Sequence, residues 1–120
     1  MMNRDYIFWQ RLDSLLERNK IVIDRPKGSV HPRFSDIVYA LDYGYLDGVS
    51  STDGEGLDVW LGSDPSRRLD AVICTVDLDK CDAEMKLLVG CTAEEKAYIE
   101  RFYNEYPDMG AKIIEREKAE

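Results

Sequence analysis

The chain has 120 residues, 44% of them hydrophobic, which suits a single domain with one core. Its 24 acidic and 16 basic residues give a net charge of −8, which opposes binding to a nucleic-acid backbone. The three cysteines form no paired motif, and no run is long and apolar enough for a membrane span. We therefore expect a cytoplasmic domain over residues 1–120 whose partners are neither nucleic acid nor membrane.

The hydrophobic pattern predicts a helix at each end of the domain. Apolar residues recur at near-helical spacing in "YIFWQRLDSLLERN", so we place an N-terminal helix at 1–20. Thr92 and Glu95 form a capping box ahead of a second amphipathic segment, which Pro107 ends. We assign a C-terminal helix to 92–107. The tail beyond it fits a short strand or a frayed helix.

Between the helices, residues 21–91 contain short runs rich in β-branched and aromatic residues, separated by turns. These runs are "IVID", "IVYALDYGYL", "LDVWLG", "RLDAVICTVDLD" and "EMKLLVGC". Gly44 marks a bend or a close approach of two backbones. Several short strands at this spacing predict a small barrel or curled sheet, and with the two helices an α+β fold.

Acidic residues cluster at two places in this strand region. The clusters lie in "TDGEGLDVW" and "DLDKCDAEMK" and contain Asp53, Glu55 and Asp58, then Asp77, Asp79, Asp82 and Glu84, close to Lys86. A polar, glycine-rich loop also occurs for solubility and turn geometry alone. If the clusters converged, however, their repulsion would require divalent cations, and Mg²⁺ prefers such oxygen ligands.

Competing motifs fit poorly. An EF-hand begun at Asp53 would place Leu57 at a ligand position. His31 is the only histidine, so a structural zinc site has no recognisable framework, and "GVSST" is only a near miss to the G-x-S-x-G motif of a serine nucleophile. "PKGS" lacks the order of a phosphate-binding P-loop.

"DGEGLD" resembles the signature loop of the soluble family I inorganic pyrophosphatases, usually D-G-D-P-[VL]-D, and "VYALDYGYLDG" resembles the tyrosine segment that precedes it. "IVID", "DLDKCDAEMKLLV" and "RFYNEY" extend the resemblance over roughly residues 21–106. It implies a five-stranded OB-like β-barrel flanked by the two helices. It also implies Mg²⁺-dependent hydrolysis of inorganic pyrophosphate, with Mn²⁺ as a substitute metal, by a homo-oligomer.

The resemblance implies roles for individual acids. Asp53, Asp58 and Glu84 would hold the tightest metal, with Asp58 bridging to a second one. Asp79 would hold extra metal when substrate is bound. Glu55 stands where the family has the aspartate that orients and deprotonates the attacking water.

A further set of side chains would hold phosphate oxygens: Arg33, Tyr43, Lys86 and Tyr106. Tyr39 matches the other tyrosine of its segment, and Asp24 matches a glutamate near the family's site. Judged by spacing alone, Tyr39 and Tyr43 fit a role in core packing as well as they fit contact with a ligand.

The chain also departs from the family pattern. Only five residues separate Arg33 from Tyr39, where the family has a longer hairpin carrying a glutamate and an arginine of the site. Pro107 replaces a lysine, and Glu55 with Gly56 replaces Asp-Pro. A missing cation could come from a neighbouring subunit or from elsewhere in the chain, namely Arg25, Lys27 or Lys112.

Two alternative functions remain open at this point. A more open site would accept a larger phosphoanhydride or a phosphoester. A non-catalytic module could have kept the fold to bind metal or phosphate.

Overall fold

The computed structural model describes residues 4–50 and 56–117. The elements in these ranges are α1 (Arg4–Arg18), β1 (Ile21–Arg25), β2 (Asp42–Leu46), β3 (Leu57–Leu61), β4 (Leu69–Asp77), β5 (Asp82–Val89), α2 (Ala93–Asn104) and β6 (Met109–Glu115). Both predicted helices are confirmed, as is the α+β class. The C-terminal tail is a strand, and β2 begins at Asp42, so residues 37–41 precede the strand rather than belong to it.

The strands form one sheet in the order β1-β2-β3-β5-β4-β6. Neighbours run antiparallel except for β3 and β5, which pair in parallel. The predicted closed, five-stranded barrel is therefore not confirmed, because the described residues form an open sheet of six strands with β1 and β6 at its edges. The sixth strand is formed by the C-terminal tail, since β6 pairs with the free side of β4.

Each face of the sheet is covered by one helix. Trp9 and Leu12 of α1 pack on one face against a cluster that includes Val59. Ile99 and Tyr103 of α2 pack on the other face, in a second cluster that includes the fully buried Trp60. Because successive strand residues point to opposite faces, neighbours such as Val59 and Trp60 serve different cores.

Side-chain capping explains where α2 begins. Thr92 accepts a hydrogen bond from the Glu95 amide, and Glu95 accepts one from the Thr92 amide at 2.8 Å, so the predicted capping box is present. Glu95 also accepts from the Ser63 amide at 3.1 Å, which joins the start of α2 to the turn after β3. No helix among the described residues has the length and apolar character needed to cross a membrane.

The loop between β1 and β2 is held by its own backbone. Val30 and Val38 form an isolated antiparallel bridge, and the Gly28 amide donates to the Tyr39 carbonyl at 2.7 Å. The predicted loop over 25–36 is thus largely confirmed. Its folded path places the Tyr39 side chain in the core beneath α2.

Gly44 lies in β2 at a point where the backbone of β1 passes close to it. A Cβ atom on Gly44 would lie 1.8 Å from the Val22 carbonyl oxygen, a distance at which the backbone must move. The predicted close approach at Gly44 is confirmed. The pairing register also shifts between Ile23 and Arg25, which places Arg25 opposite Tyr43.

We expect Gly44→Ala to destabilise the protein by about 1–3 kcal/mol or more, since β1 must withdraw from β2. Urea denaturation followed by circular dichroism measures this loss. Gly110→Ala is the matched control, because a Cβ at that strand glycine meets nothing within 4 Å. Equal denaturation midpoints for the two variants would contradict the close approach.

Candidate functional site

Three strands bring polar side chains together on the face that α2 covers. In β2 and β3, Tyr43 pairs with Trp60, and Asp58 lies two residues before Trp60 on the same face. In β5, Glu84 and Lys86 share that face with Leu88, which belongs to the α2 core. The parallel pairing of β3 with β5 brings their polar residues side by side.

Lys86 is the centre of this cluster. Its Nζ donates to Asp58 Oδ2 at 2.7 Å, to Glu84 Oε2 at 2.8 Å and to the Tyr43 hydroxyl at 3.1 Å. The Tyr43 hydroxyl in turn donates to Asp58 Oδ2. The Lys86 side chain is only 8% exposed, whereas both carboxylates are 30% exposed. We call these four residues the lysine cluster.

The lysine cluster keeps its ammonium charged. Burial alone would lower the pKa of Lys86, but Tyr103, Tyr43 and Asp58 more than offset it, so the pKa is raised. Burial raises the pKa of Tyr43 well above its ordinary value. At neutral pH the cluster therefore contains a charged ammonium and a neutral phenol that can donate a hydrogen bond.

Aromatic rings close the cluster off on the core side. The Tyr43 ring lies 4.8 Å from the Trp60 ring at 71°, and the Trp60 indole donates to the Tyr103 hydroxyl at 3.0 Å. Burial raises the pKa of Tyr103 to about 12. Tyr43 thus combines the two roles that its spacing left open, with its ring in the core and its hydroxyl in the cluster.

Arg25 adjoins this group from β1. Its guanidinium carbon lies 5.6 Å from the centre of the Tyr39 ring and 5.5 Å from that of Tyr43. Its Nη1 donates to the Tyr39 hydroxyl at 2.5 Å. The sequence offered Arg25 only as one of several substitute cations, because no motif surrounds it.

Three further predicted site residues within the described ranges, Asp79, Arg33 and Tyr106, make no hydrogen bond or ion pair with the lysine cluster. Asp79 is exposed on the turn between β4 and β5, and Arg33 is exposed on the loop between β1 and β2. Tyr106 follows α2, with its ring 6.1 Å from that of Phe34. Its hydroxyl is buried without a hydrogen-bond partner among the described residues.

Asp53 and Glu55 lie outside the described residues. Within residues 4–50 and 56–117, no group of three or more His, Cys, Asp or Glu side chains is arranged to hold a metal ion. Asp58 and Glu84 come together there only as a pair, with Lys86 between them.

Of the comparisons with known proteins, only the one with solved structures finds matches, and these share the fold described above. No protein-family model and no curated protein matches the chain. Among solved structures, it is similar to an inorganic pyrophosphatase of Coxiella burnetii, with 15% identity, a TM-score of 0.54 and coverage of 81% of this chain and 83% of that one.

Two further solved structures are similar to the same degree. The inorganic pyrophosphatase of Helicobacter pylori shares 16% identity at a TM-score of 0.51, with 79% of this chain and 81% of that chain covered. An inorganic phosphatase of Anaplasma phagocytophilum shares 14% identity at a TM-score of 0.50, with the same coverage. At such identities the likeness shows a shared fold.

We expect Tyr43→Phe to lower the free energy of unfolding by about 1–3 kcal/mol, because it removes an acceptor of Lys86 and a donor to Asp58. The ring, and so its packing on Trp60, is retained. Tyr45→Phe removes a phenol from the same strand without touching the hydrogen bonds of Lys86, and it serves as the control. Urea midpoints that match between the two variants would argue against the cluster.

Proposed function

We propose that the protein hydrolyses inorganic pyrophosphate to two phosphates with Mg²⁺ as its metal. The observation that carries this proposal is the meeting of Tyr43, Asp58, Glu84 and Lys86. Three separate strands bring together residues to which the family resemblance assigns metal or phosphate contacts. The fold shared with solved inorganic pyrophosphatases supports the same function.

The residues present fit Mg²⁺ as far as they are described. Two carboxylate oxygens converge on one positive charge, and both side chains are 30% exposed, so hard oxygen donors are accessible from solvent. Asp53 is proposed to complete this set, with Asp79 contributing when substrate is bound. Bound Mg²⁺ would supply a lower pKa for a bound water and charge neutralisation at phosphate oxygens.

The protein's own residues would prepare the reaction. Lys86 and Tyr43 fix the orientation of Asp58 through hydrogen bonds to its Oδ2. The aromatic rings on the core side keep water away from one side of the cluster. Glu55 is proposed to accept the proton of the attacking water, while Arg33 and Tyr106 would contact phosphate oxygens after moving from their described positions.

A larger phosphoanhydride or phosphoester is the second candidate substrate. The loop between β1 and β2 and the end of α2 line a groove of about 510 Å³, whose lining includes Phe34, Phe102 and Tyr106 but also the acidic Asp36 and Glu105. None of the four residues of the lysine cluster lines this groove, so the larger substrate stays an alternative. A non-catalytic metal- or phosphate-binding module would share the cluster but would not turn over substrate.

The cytoplasmic location of the protein and its assembly into a homo-oligomer stay predictions.

Phosphate release from pyrophosphate, measured with Mg²⁺ and with Mn²⁺, tests this function. We expect wild-type turnover and a loss on the order of 100-fold or more in Glu55→Gln, because the glutamine amide cannot accept the proton. Asp58→Asn should lose a similar factor. Asp82→Asn is the control, since Asp82 belongs to the acidic segment that also contains Glu84 but has no assigned role.

Each outcome of that assay has a definite reading. Equal turnover in all variants would refute the proposed site. No turnover by the wild type would refute pyrophosphate as substrate and direct the search to larger phosphoanhydrides or to a binding role.

Metal binding has a separate test in thermal unfolding. Mg²⁺ at 100 times its Kd should stabilise the wild type by about 2.7 kcal/mol, because it binds only the folded state. Asp58→Asn should lose most of this increment, whatever its own melting temperature, and Asp82→Asn should keep it. An unchanged increment in Asp58→Asn would show that the metal binds elsewhere.

A further inference from the structure

The donors of Lys86 are fully used within the protein. A lysine ammonium has three N–H donors, and three acceptors are in place: Asp58, Glu84 and Tyr43. The side chain is 8% exposed, so little of it faces solvent. A phosphate could take a hydrogen bond from Lys86 only by breaking one of these contacts.

Arg25 has the opposite character. A guanidinium has five N–H donors, and within the described part of the chain only one contact, to the Tyr39 hydroxyl, uses them. The Arg25 side chain is partly exposed, and its guanidinium lies over two buried rings. This cation is therefore held in place by aromatic packing while most of its donors remain available.

The backbone of β1 explains how Arg25 reaches this place. The register shift between Ile23 and Arg25 is a bulge, and bulges redirect side chains. It pairs Arg25 with Tyr43, whose hydroxyl belongs to the lysine cluster. Gly44 permits the close approach of β1 that this pairing requires.

Other cations are placed less well for this role. Lys112 pairs with Cys74, which alternates with the α2-facing Ile73, so Lys112 belongs to the face that α1 covers. Lys27 is exposed beyond the end of β1. Arg25 alone among these three contacts a residue of the lysine cluster.

Charged side chains of both signs lie near Arg25, since Asp24 precedes it in β1 while Arg33 and Lys80 act on the neighbouring His31. The His31 ring lies parallel to the Tyr39 ring at 6.1 Å. Burial and the charges of Arg25, Arg33 and Lys80 lower the pKa of His31. A guanidinium with unused donors beside two carboxylates suits an anion whose other side is bound by a metal.

We propose that Arg25 is a further anion-binding residue of this site, donating to phosphate oxygens while Lys86 stays with its carboxylates. This assignment rests on the proposed function for its substrate class, but the binding of phosphate anions can be measured without turnover. Arginine suits the role because its planar donors match phosphate oxygens two at a time.

Calorimetric titration with inorganic phosphate, and with imidodiphosphate plus Mg²⁺ as a non-hydrolysable probe, tests the assignment. We expect Arg25→Met to weaken binding of both by about 10- to 100-fold, as the loss of charged hydrogen bonds implies. Arg25→Lys should restore part of the affinity, because it keeps the charge but loses the paired donors. Lys20→Met, which removes one exposed charge just before β1, should stay within about twofold, since exposed charges are screened.

The outcomes separate this inference from the proposed function. If Arg25→Met alone loses anion affinity while the wild type hydrolyses no pyrophosphate, the inference stands and the function fails. If the wild type turns over and Arg25→Met keeps its anion affinity and its KM, the inference is wrong. Equal losses in Arg25→Met and Lys20→Met, or no anion binding by the wild type, would also overturn it.

Discussion

The arrangement of this site depends on the hydrogen bonds and ion pairs of the buried Lys86 ammonium. Removing such a charge from water costs several kcal/mol, and only well-placed acceptors offset that cost. The acceptors come from β2, β3 and β5, so one cation ties three strands together. A one-residue slip of β3 would turn Asp58 to the other face of the sheet and leave Lys86 without its shortest hydrogen bond. The cluster therefore favours one strand register as well as one site geometry.

Local patterns in the sequence predicted the elements better than their assembly. Caps and helical periodicity depend on residues a few positions apart, which is why α1, α2 and the Thr92 capping box are confirmed. Sheet closure depends instead on pairing between distant segments. The tail "AKIIE" fitted either a strand or a frayed helix, and only its pairing with β4 decides between them. The parallel pairing of β3 with β5 has no local signature either.

The candidate site shows the same division. Motif positions identified Tyr43, Asp58, Glu84 and Lys86, and the structure brings these four together. Their mutual hydrogen bonds could not be read from spacing, because strand neighbours are set by the sheet order. No sequence motif marks Arg25, for the same reason. Its position follows from the bulge in β1 and from the missing side chain of Gly44, and both are features of strand pairing rather than of composition.

The net charge of the lysine cluster links the proposed metal site to the proposed anion site at Arg25. Within the lysine cluster two carboxylates face one ammonium, which leaves one net negative charge. A divalent cation bound there would reverse that sign, and the reversed site would attract an anion. Lys86 stabilises the carboxylates through its two ion pairs, and it would compete with a bound metal for their oxygens. The same cation thus stabilises the fold and would weaken binding of the proposed metal, so additional acids such as Asp53 would be needed for the metal to bind. An acidic chain can in this way hold a phosphate compound, provided that the metal and Arg25 act on it from different sides.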